Sequence, residues 1–346
     1  MAFEKLAVLG VGAIGSTIGA YLARAGHDVT LIDLWPAHVE AMQRSGLKVS
    51  AQDEEFTVPV KAVHLADVCG LRQHFDAVLL AVKSYDSVWA TTFIQPYLTP
   101  AGVLVSAQNG INEESVAPII GYPRTLGCVV TIGAGLYEPG HVTRTSAPSR
   151  PSFAVGELNG MMTPRVQELA TVLAPVGPAH ATANLWGERW AKLTVNSMAN
   201  ALAGITGMGS AALRNEPEAF PICLQIACEA LTVAQTLGVQ VEPVGGIPAQ
   251  RYLEAARGVG REALRSQWVE AGQALGAGRP SLLQDVLKGR RTEVDYLNGY
   301  VVRKGREVGV PTPMNEAIVA VTKRLEAGAL TQGLANLQLM PRMGLP

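Results

Sequence analysis

Hydrophobic and polar positions along this chain follow two rhythms, and the change from one to the other falls near the middle. In the first half, short apolar runs are separated by helical patterns. Leu6-Ala7-Val8-Leu9 reads as a strand, and Ile18, Leu22 and Ala23 behind it have helical spacing as far as Gly26. Val29-Thr30-Leu31-Ile32 predicts a second strand, and Val39 and Met42 predict a helix from Pro36 to Gly46. Leu47-Lys48-Val49 and Phe56-Thr57-Val58 predict two short strands around a polar turn at residues 52–55. Residues 76–82 and 102–107 are continuous apolar runs, as in a parallel sheet covered on both faces. Residues 126–131 continue that sheet, residues 133–155 read as hairpins, and 164–173 as another helix.

From about residue 185 long helical patterns take over, at 186–203, 217–237, 248–275, 281–308 and 314–327. Gly204, Gly207 and Gly209 interrupt the first, Gly238 and Pro243 end the second, and Gly276, Gly278 and Pro280 precede the fourth. The tail after Gly333 carries little signal. The expected organisation is an α/β domain over residues 1–182 and an all-α domain over 183–346, with an active site in the cleft between them.

Composition narrows the choice of partner. A chain of 346 residues with 48% hydrophobic and 16% charged positions has material for two cores. A net charge of −1 favours neither nucleic acid nor an acidic membrane surface. Cys69, Cys128, Cys223 and Cys228 show no CxxC spacing and read as reduced thiols, which fits a cytoplasmic location. Glu4 and Lys5 stand where an apolar leader would lie, and the weakly polar run 193–213 holds Asn196, Asn200 and several glycines, so no membrane span is expected. The six histidines, His27, His38, His64, His74, His141 and His180, are scattered without metal spacing; no role is assigned to them and no metal is expected.

The chemistry begins at Gly10-Val11-Gly12-Ala13-Ile14-Gly15, between the first strand and its helix. Strand, glycine turn, helix, strand and a terminal acid together form a dinucleotide fingerprint. Gly10 permits the tight turn, Gly12 lets a pyrophosphate approach the backbone, and Gly15 lets the helix pack closely on the sheet. The N–H groups at Ala13, Ile14 and Gly15 open the helix at its positive end. Asp33, 18 residues beyond Gly15, closes the second strand, where a carboxylate bonds ribose hydroxyls and repels a 2′-phosphate. Lys83 follows another strand, and Gln108-Asn109-Gly110 a further one, at the sheet edge where such folds bind ligands.

The second half adds a polar stripe. Lys192, Asn196 and Asn200 are spaced i, i+4, i+8 on an otherwise apolar helix, a line roughly 12 Å long. Two asparagines are poor helix formers, and a solvent stripe normally carries several charges, so a cleft lining is favoured. Ser281 is positioned to cap the helix predicted over 281–308. On that helix Asp285, Thr292, Glu293 and Tyr296 share one face. Lys288, Arg291, Asp295 and Asn298 share another and read as surface support. Spacing alone leaves Glu293 ambiguous.

Taken in order, the glycine fingerprint, Ala81-Val82-Lys83, Gln108-Asn109-Gly110, Lys192-Leu193 with Asn196 and Asn200, and Ser281-Leu282-Leu283-Gln284-Asp285 leading to Thr292-Glu293 and Asn298-Gly299 resemble the ketopantoate reductase (2-dehydropantoate 2-reductase) family. The resemblance covers about residues 5–325. It implies a Rossmann-type dinucleotide-binding domain joined to a helical domain for substrate and dimerisation, and hydride transfer between a nicotinamide and a 2-keto or 2-hydroxy acid. By the same resemblance Lys192 is the general acid at the carbonyl oxygen, and Glu293 holds the substrate hydroxyl and the lysine. Asn196, Asn200 and Ser281 bind substrate. Lys83 and Asn109 touch the cofactor or line the cleft beside it. The family also implies a homodimer.

Two features depart from the family pattern. The family often uses NADP(H), with a basic or neutral polar residue closing the second strand. Here Asp33 is followed by Leu34 and Trp35, with no arginine before Arg44, which predicts NAD(H). Residues 245–278 are longer than in compact members, and Gly278 stands where some carry a substrate-contacting asparagine. The expected reaction is 2-dehydropantoate to pantoate, in pantothenate biosynthesis. The alternatives are oxidation of another hydroxy acid in catabolism, and a non-catalytic NAD sensor, against which the pairing of Lys192 with Glu293 argues.

Overall fold

A computed structural model of the chain describes residues 3–273 and 278–341. The end of the helix predicted over 248–275, Gly276 and the last five residues lie outside the described residues. The chain divides into two compact units, Met1–Leu185 and Trp186–Pro346.

The first unit winds β1 (Lys5–Leu9), α1 (Ala13–Arg24), β2 (Asp28–Asp33) and α2 (Pro36–Ser45) in succession. It continues through the short strands β3 (Leu47–Ser50), β4 (Glu55–Val58) and β5 (Lys61–His64) to β6 (Phe75–Leu80), α3 (Ser87–Ile94), β7 (Leu98–Ser106), α4 (Glu113–Ile120) and β8 (Thr125–Val130). β9 (Ala134–Glu138), β10 (His141–Arg144), β11 (Phe153–Glu157), α5 (Pro164–Leu173) and β12 (Ala179–Ala181) complete it. Eight strands form one sheet in the order β12-β11-β8-β7-β6-β1-β2-β5. All its neighbours are parallel except β8 and β11. Alternation along the strands explains why both faces are covered. Leu6 and Val8 of β1 join one apolar cluster, while Ala7 and Leu9 join another on the opposite face.

The two hairpins read from sequence, β3–β4 and β9–β10, do not stand alone. They merge into a second sheet, ordered β4-β3-β10-β9, through a parallel pairing of β10 with β3. His141 stands opposite Lys48 in that pairing.

The second unit is helical: α6 (Leu185–Thr206), α7 (Ser210–Asn215), α8 (Ala219–Thr236), α9 (Ala249–Ala256), α10 (Arg261–Gln273), α11 (Ser281–Leu287), α12 (Asn298–Val308) and α13 (Pro313–Glu326). Several sequence expectations need correction here. Gly204 does not interrupt α6; it lies within it, where a Cβ would meet the Leu282 side chain of α11 at 2.0 Å. The helix predicted over 248–275 is broken by Gly258 and Gly260, at φ 90° and 66°. The one predicted over 281–308 stops at Leu287, followed by Gly289 at φ 62°, and resumes only at Asn298. The tail after Gly333 is not structureless: a single 3₁₀ segment, Leu334–Leu339, is anchored by the Asn336 side chain on the Ile205 carbonyl, 2.8 Å.

α8 is long and apolar enough to cross a membrane by composition, with a mean hydropathy of 1.2, but 67% of it is buried within the fold. It also carries the buried carboxylate of Glu229, which accepts the backbone N–H groups of Met314 and Asn315 at 2.8 and 2.9 Å and so caps α13. Burial raises the pKa of Glu229 against the pull of these bonds. All four cysteines are free thiols; Cys69 is exposed and the other three are buried.

Candidate active site

The glycine turn owes its shape to contacts that leave no room for side chains at two of its three glycines. Gly10 adopts φ 93°, and a Cβ there would lie 2.6 Å from the Val82 nitrogen. A Cβ on Gly15 would lie 2.1 Å from the Gly10 carbonyl oxygen, so this glycine closes the helix onto the turn itself as well as onto the sheet. Gly12 differs: a Cβ there would meet no heavy atom within 4 Å. Gly12 is also the N-cap of α1, with no side-chain cap and no acid in the first turn. The first N–H groups of the helix, at Ala13, Ile14 and Gly15, therefore open onto space beside a residue without a side chain. A phosphate suits that arrangement.

Asp33 closes β2 beside this turn. Its Oδ2 accepts the Val11 N–H at 2.6 Å and its Oδ1 accepts the Trp35 N–H at 2.8 Å. The carboxylate is thus oriented by the turn, and each oxygen keeps a lone pair for further donors. The loops bearing Lys83 and Asn109 lie side by side: Ser84 donates to the Asn109 carbonyl at 3.1 Å, and Asn112 donates to the same carbonyl at 2.8 Å. With Gly10 against Val82, the loops leaving β1, β6 and β7 converge at the carboxyl edge of the sheet.

In the helical unit, α6 carries Lys192, Asn196 and Asn200 on one stripe. Asn196 is 3% exposed, and Lys192 and Asn200 are half-buried, so this stripe is not the solvent face of an amphipathic helix. Burial lowers the Lys192 pKa from 10.5 to about 8.

Ser281 departs from expectation in an informative way. Pro280 is the N-cap and Ser281 the first helical residue, with no cap bond to its own helix. Its Oγ instead accepts from Asn200 Nδ2 at 3.2 Å, joining two residues 81 positions apart. Glu293 is buried but does not lie on a helix. It is the N-cap of a short 3₁₀ turn, Val294–Tyr296, between α11 and α12, where its carbonyl accepts the N–H groups of Tyr296 and Leu297. The faces assigned to a continuous 281–308 helix therefore do not exist. Arg291 and Asp295 still approach at 3.6 Å, but Asn298 is fully buried and not surface support.

Two sets of partners that the sequence did not single out hold this stretch, through Thr292 and Asp295 on one side and Asn298 on the other. The Thr292 N–H and hydroxyl both donate to Glu326 Oε1 at 2.7 and 2.6 Å; Lys323 contacts Glu326 at 2.9 Å and Asp295 at 2.6 Å. Burial raises the Glu326 pKa, yet the Thr292 and Lys323 contacts outweigh it and leave the carboxyl below its usual range. On the other side, Asn298 Nδ2 donates to the Ser197 carbonyl at 3.1 Å and to Asn315 Oδ1 at 2.9 Å, and Asn315 Nδ2 donates to Glu229 Oε2 at 2.7 Å. The segment after Glu293 is thereby tied to α6 beside Asn196. Polar residues set among apolar ones were the available signal for both sets, but Glu326 and Asn315 lie too far along the chain from Thr292 and Asn298 to be read from spacing.

Comparison with known proteins gives the chain a family. The model of the ketopantoate reductase PanE/ApbA family matches residues 6–160, and that of the same family's C-terminal domain matches residues 184–326. A 2-dehydropantoate 2-reductase of Archaeoglobus fulgidus is 28% identical over 331 residues, spanning 95% of this chain and 100% of that protein. The crystal structure of a PanE/ApbA family ketopantoate reductase from Ralstonia eutropha JMP134 has a TM-score of 0.76 and 29% identity, covering 94% of this chain and 99% of its own. D-mandelate dehydrogenase with NADH and anilino(oxo)acetate has a TM-score of 0.81 with the same coverage, but at 24% identity that is a likeness of fold alone. With both halves matched, this chain belongs to the ketopantoate reductase family, oxidoreductases acting on CH–OH groups.

Proposed function

We propose that this protein reduces 2-dehydropantoate to pantoate, and that it uses NAD(H) in preference to NADP(H). The observation that carries the reading is the α6 stripe. It sets a lysine of pKa about 8 in line with two asparagines, one of which is bonded to Ser281. A 2-keto acid offers a carbonyl, a carboxylate and, in dehydropantoate, a hydroxyl, and such a set of donors matches them. A nicotinamide dinucleotide, when bound, supplies the hydride. Gly10, Gly12 and the N–H groups of Ala13, Ile14 and Gly15 would hold its pyrophosphate, and Lys83 and Asn109 would flank it.

Hydride addition at carbon builds negative charge on the carbonyl oxygen. Lys192 donates its proton there, and near neutral pH an amine of pKa about 8 is still mostly protonated while giving up its proton more readily than an ordinary lysine. Glu293 accepts the substrate hydroxyl and keeps the ammonium oriented. Asn196, Asn200 and Ser281 fix the carboxylate and hydroxyl so that one face of the carbonyl is presented.

The cofactor preference rests on Asp33. Its oxygens, already fixed by Val11 and Trp35, can accept ribose hydroxyls but would face a 2′-phosphate with like charge. A homodimer is the assembly this reading expects.

The test is a matrix of 2-keto acids with NADH and NADPH, and 2-hydroxy acids with NAD⁺, followed by absorbance of the reduced nicotinamide. The expected result is highest kcat/KM for 2-dehydropantoate with NADH. A preference for NADPH would remove the role of Asp33. Turnover of another acid in place of dehydropantoate would move the enzyme to the oxidation of that hydroxy acid. Tight cofactor binding with no turnover of any acid would leave a sensor.

A further inference from the structure

Behind the glycine turn lies a histidine that neither the fingerprint nor the family motifs include. His38, on α2, is fully buried and stacked on Trp35 with ring centroids 5.6 Å apart. Its Nδ1 accepts the backbone N–H of Gly140 at 2.8 Å. An amide N–H can only donate, so Nδ1 carries no proton and the ring is the Nε2–H tautomer. Nε2 lies 3.2 Å from Ser16 Oγ and donates to it, and the Ser16 hydroxyl donates to the Val11 carbonyl at 2.9 Å. The far end of this chain is equally fixed. Gly140, in the turn between β9 and β10, has φ 74°, lies so close to α2 that a Cβ would sit 2.9 Å from Ala41 Cβ, and accepts the Lys48 N–H at 2.9 Å.

Val11 is the centre of the glycine turn. Asp33 holds its N–H, and the Ser16–His38 pair holds its carbonyl. Because a peptide unit is planar, fixing the Val11 carbonyl toward the protein fixes the Gly12 N–H on the opposite side, toward the open space where a phosphate would lie. We propose that His38 is a positioning residue for the dinucleotide cradle. As the neutral Nε2–H tautomer it links the β9–β10 turn through Ser16 to the Val11 carbonyl, and cofactor affinity depends on that link. The proposal rests on the reading of the glycine turn as a dinucleotide site.

The same geometry gives the link a pH dependence. A second ring proton would place Nδ1–H against the Gly140 N–H, two donors face to face in a buried space. Burial lowers the His38 pKa, while Asp33 and the Val11 carbonyl push it up. Asp33 is the charged group acting on the ring from β2; from α1 it meets only the Ser16 hydroxyl. In the β9–β10 hairpin Glu138 and His141 lie 3.7 Å from each other, and Glu40 and Arg44 on α2 are exposed. The neutral form therefore prevails above the usual histidine value, and the link is lost as pH falls through a pKa below it.

The experiment measures the NADH dissociation constant and the kcat and KM(NADH) of wild type, His38→Leu, His38→Gln and Ser16→Ala between about pH 5 and about pH 8. Losing the link should weaken NADH by about tenfold in His38→Leu and severalfold in Ser16→Ala, with kcat within about twofold. Wild type should weaken on acidification. His38→Gln, whose amide also pairs an acceptor with a donor, should recover most of the affinity and lose the acid dependence. Ser16→Ala keeps the imidazole and its bond to Gly140, so it tests the link even if His38→Leu fails to fold. Wild-type affinity in Ser16→Ala and in a folded His38→Leu would overturn the proposal, as would acid weakening that persists in His38→Gln. Wild-type protein that binds no dinucleotide at any pH would overturn the cofactor reading and the proposal with it.

Discussion

Lys192 gives the sharpest quantitative test. Burial lowers its pKa from 10.5 to about 8, and at about 1.4 kcal/mol per pH unit this is about 3 kcal/mol of preference for the neutral amine. The sign fixes two outcomes. In reduction the ammonium is the proton donor, so kcat/KM should be level below about pH 8 and fall about tenfold per pH unit above it. In oxidation the neutral amine accepts the proton, so the rate should rise through the same pH and then level off. Stability follows the opposite logic from a salt-bridged lysine. The folded state binds the proton less well than the unfolded state, so the cost is fully present below about pH 8 and fades as pH rises toward 10.5. Lys192→Met, which removes the buried charge and keeps the volume, should raise the melting temperature at neutral pH while losing activity. Lys192→Ala should lower kcat by about 10²–10⁴ with little change in cofactor affinity. Initial rates from about pH 6 to about pH 10, with melting curves at the same pH values, make the measurement. A reduction rate that is flat across this range, or near-wild-type turnover in Lys192→Ala, would refute the assignment of Lys192 as the acid.

Two further substitutions separate binding from folding. Gly12→Ala has room for its Cβ and should leave stability within about 0.5 kcal/mol of wild type while weakening NADH at least about tenfold. Gly15→Ala, with its Cβ 2.1 Å from the Gly10 carbonyl oxygen, should instead lower stability itself; in calorimetry and cofactor titration of the pair, wild-type NADH affinity in Gly12→Ala would show the cradle reading to be wrong. Glu326→Ala leaves the Thr292 N–H and hydroxyl without their acceptor and should cost about 1–3 kcal/mol. It should also lower kcat by loosening Glu293 while leaving NADH affinity unchanged. Since the Glu326 carboxyl sits below its usual range, its contribution should be present near neutral pH and disappear as pH falls through that lowered value, a dependence visible in melting curves and absent from the variant.

The sequence disclosed what was local and hid what was not. The fingerprint was legible because strand, glycines, helix and Asp33 lie within 28 residues, with Gly10 and Gly15 required sterically and Gly12 left open for a ligand. The α6 stripe was legible because helical periodicity aligns Lys192, Asn196 and Asn200 on an otherwise apolar helix. The break between α11 and α12 was not, because Leu283, Val294, Leu297 and Val301 are buried on both sides of it and the apolar spacing runs on through Gly289. Thr292 and Asn298 were named, but their partners were hidden: a buried polar residue declares that a partner exists, not where it lies along the chain. Ser281 looked like a cap because serine at a helix start usually is one, whereas here its hydroxyl turns to Asn200.

The parallel pairing of β10 with β3 places a delay in the assembly of the first unit. The Rossmann fingerprint is complete in the nascent chain once Asp33 has been made, yet Gly140, 102 residues after His38, must still be synthesised before β3 can gain its second neighbour, β10. At translation rates of about 5–20 residues per second that is an interval of about 5–20 seconds. During it the α1–β2 segment carries the whole motif without the support that shapes its turn. Cofactor capture on the ribosome is therefore expected to wait for the second hairpin, and an amino-terminal fragment ending before β9 would contain every residue of the fingerprint without its mature conformation.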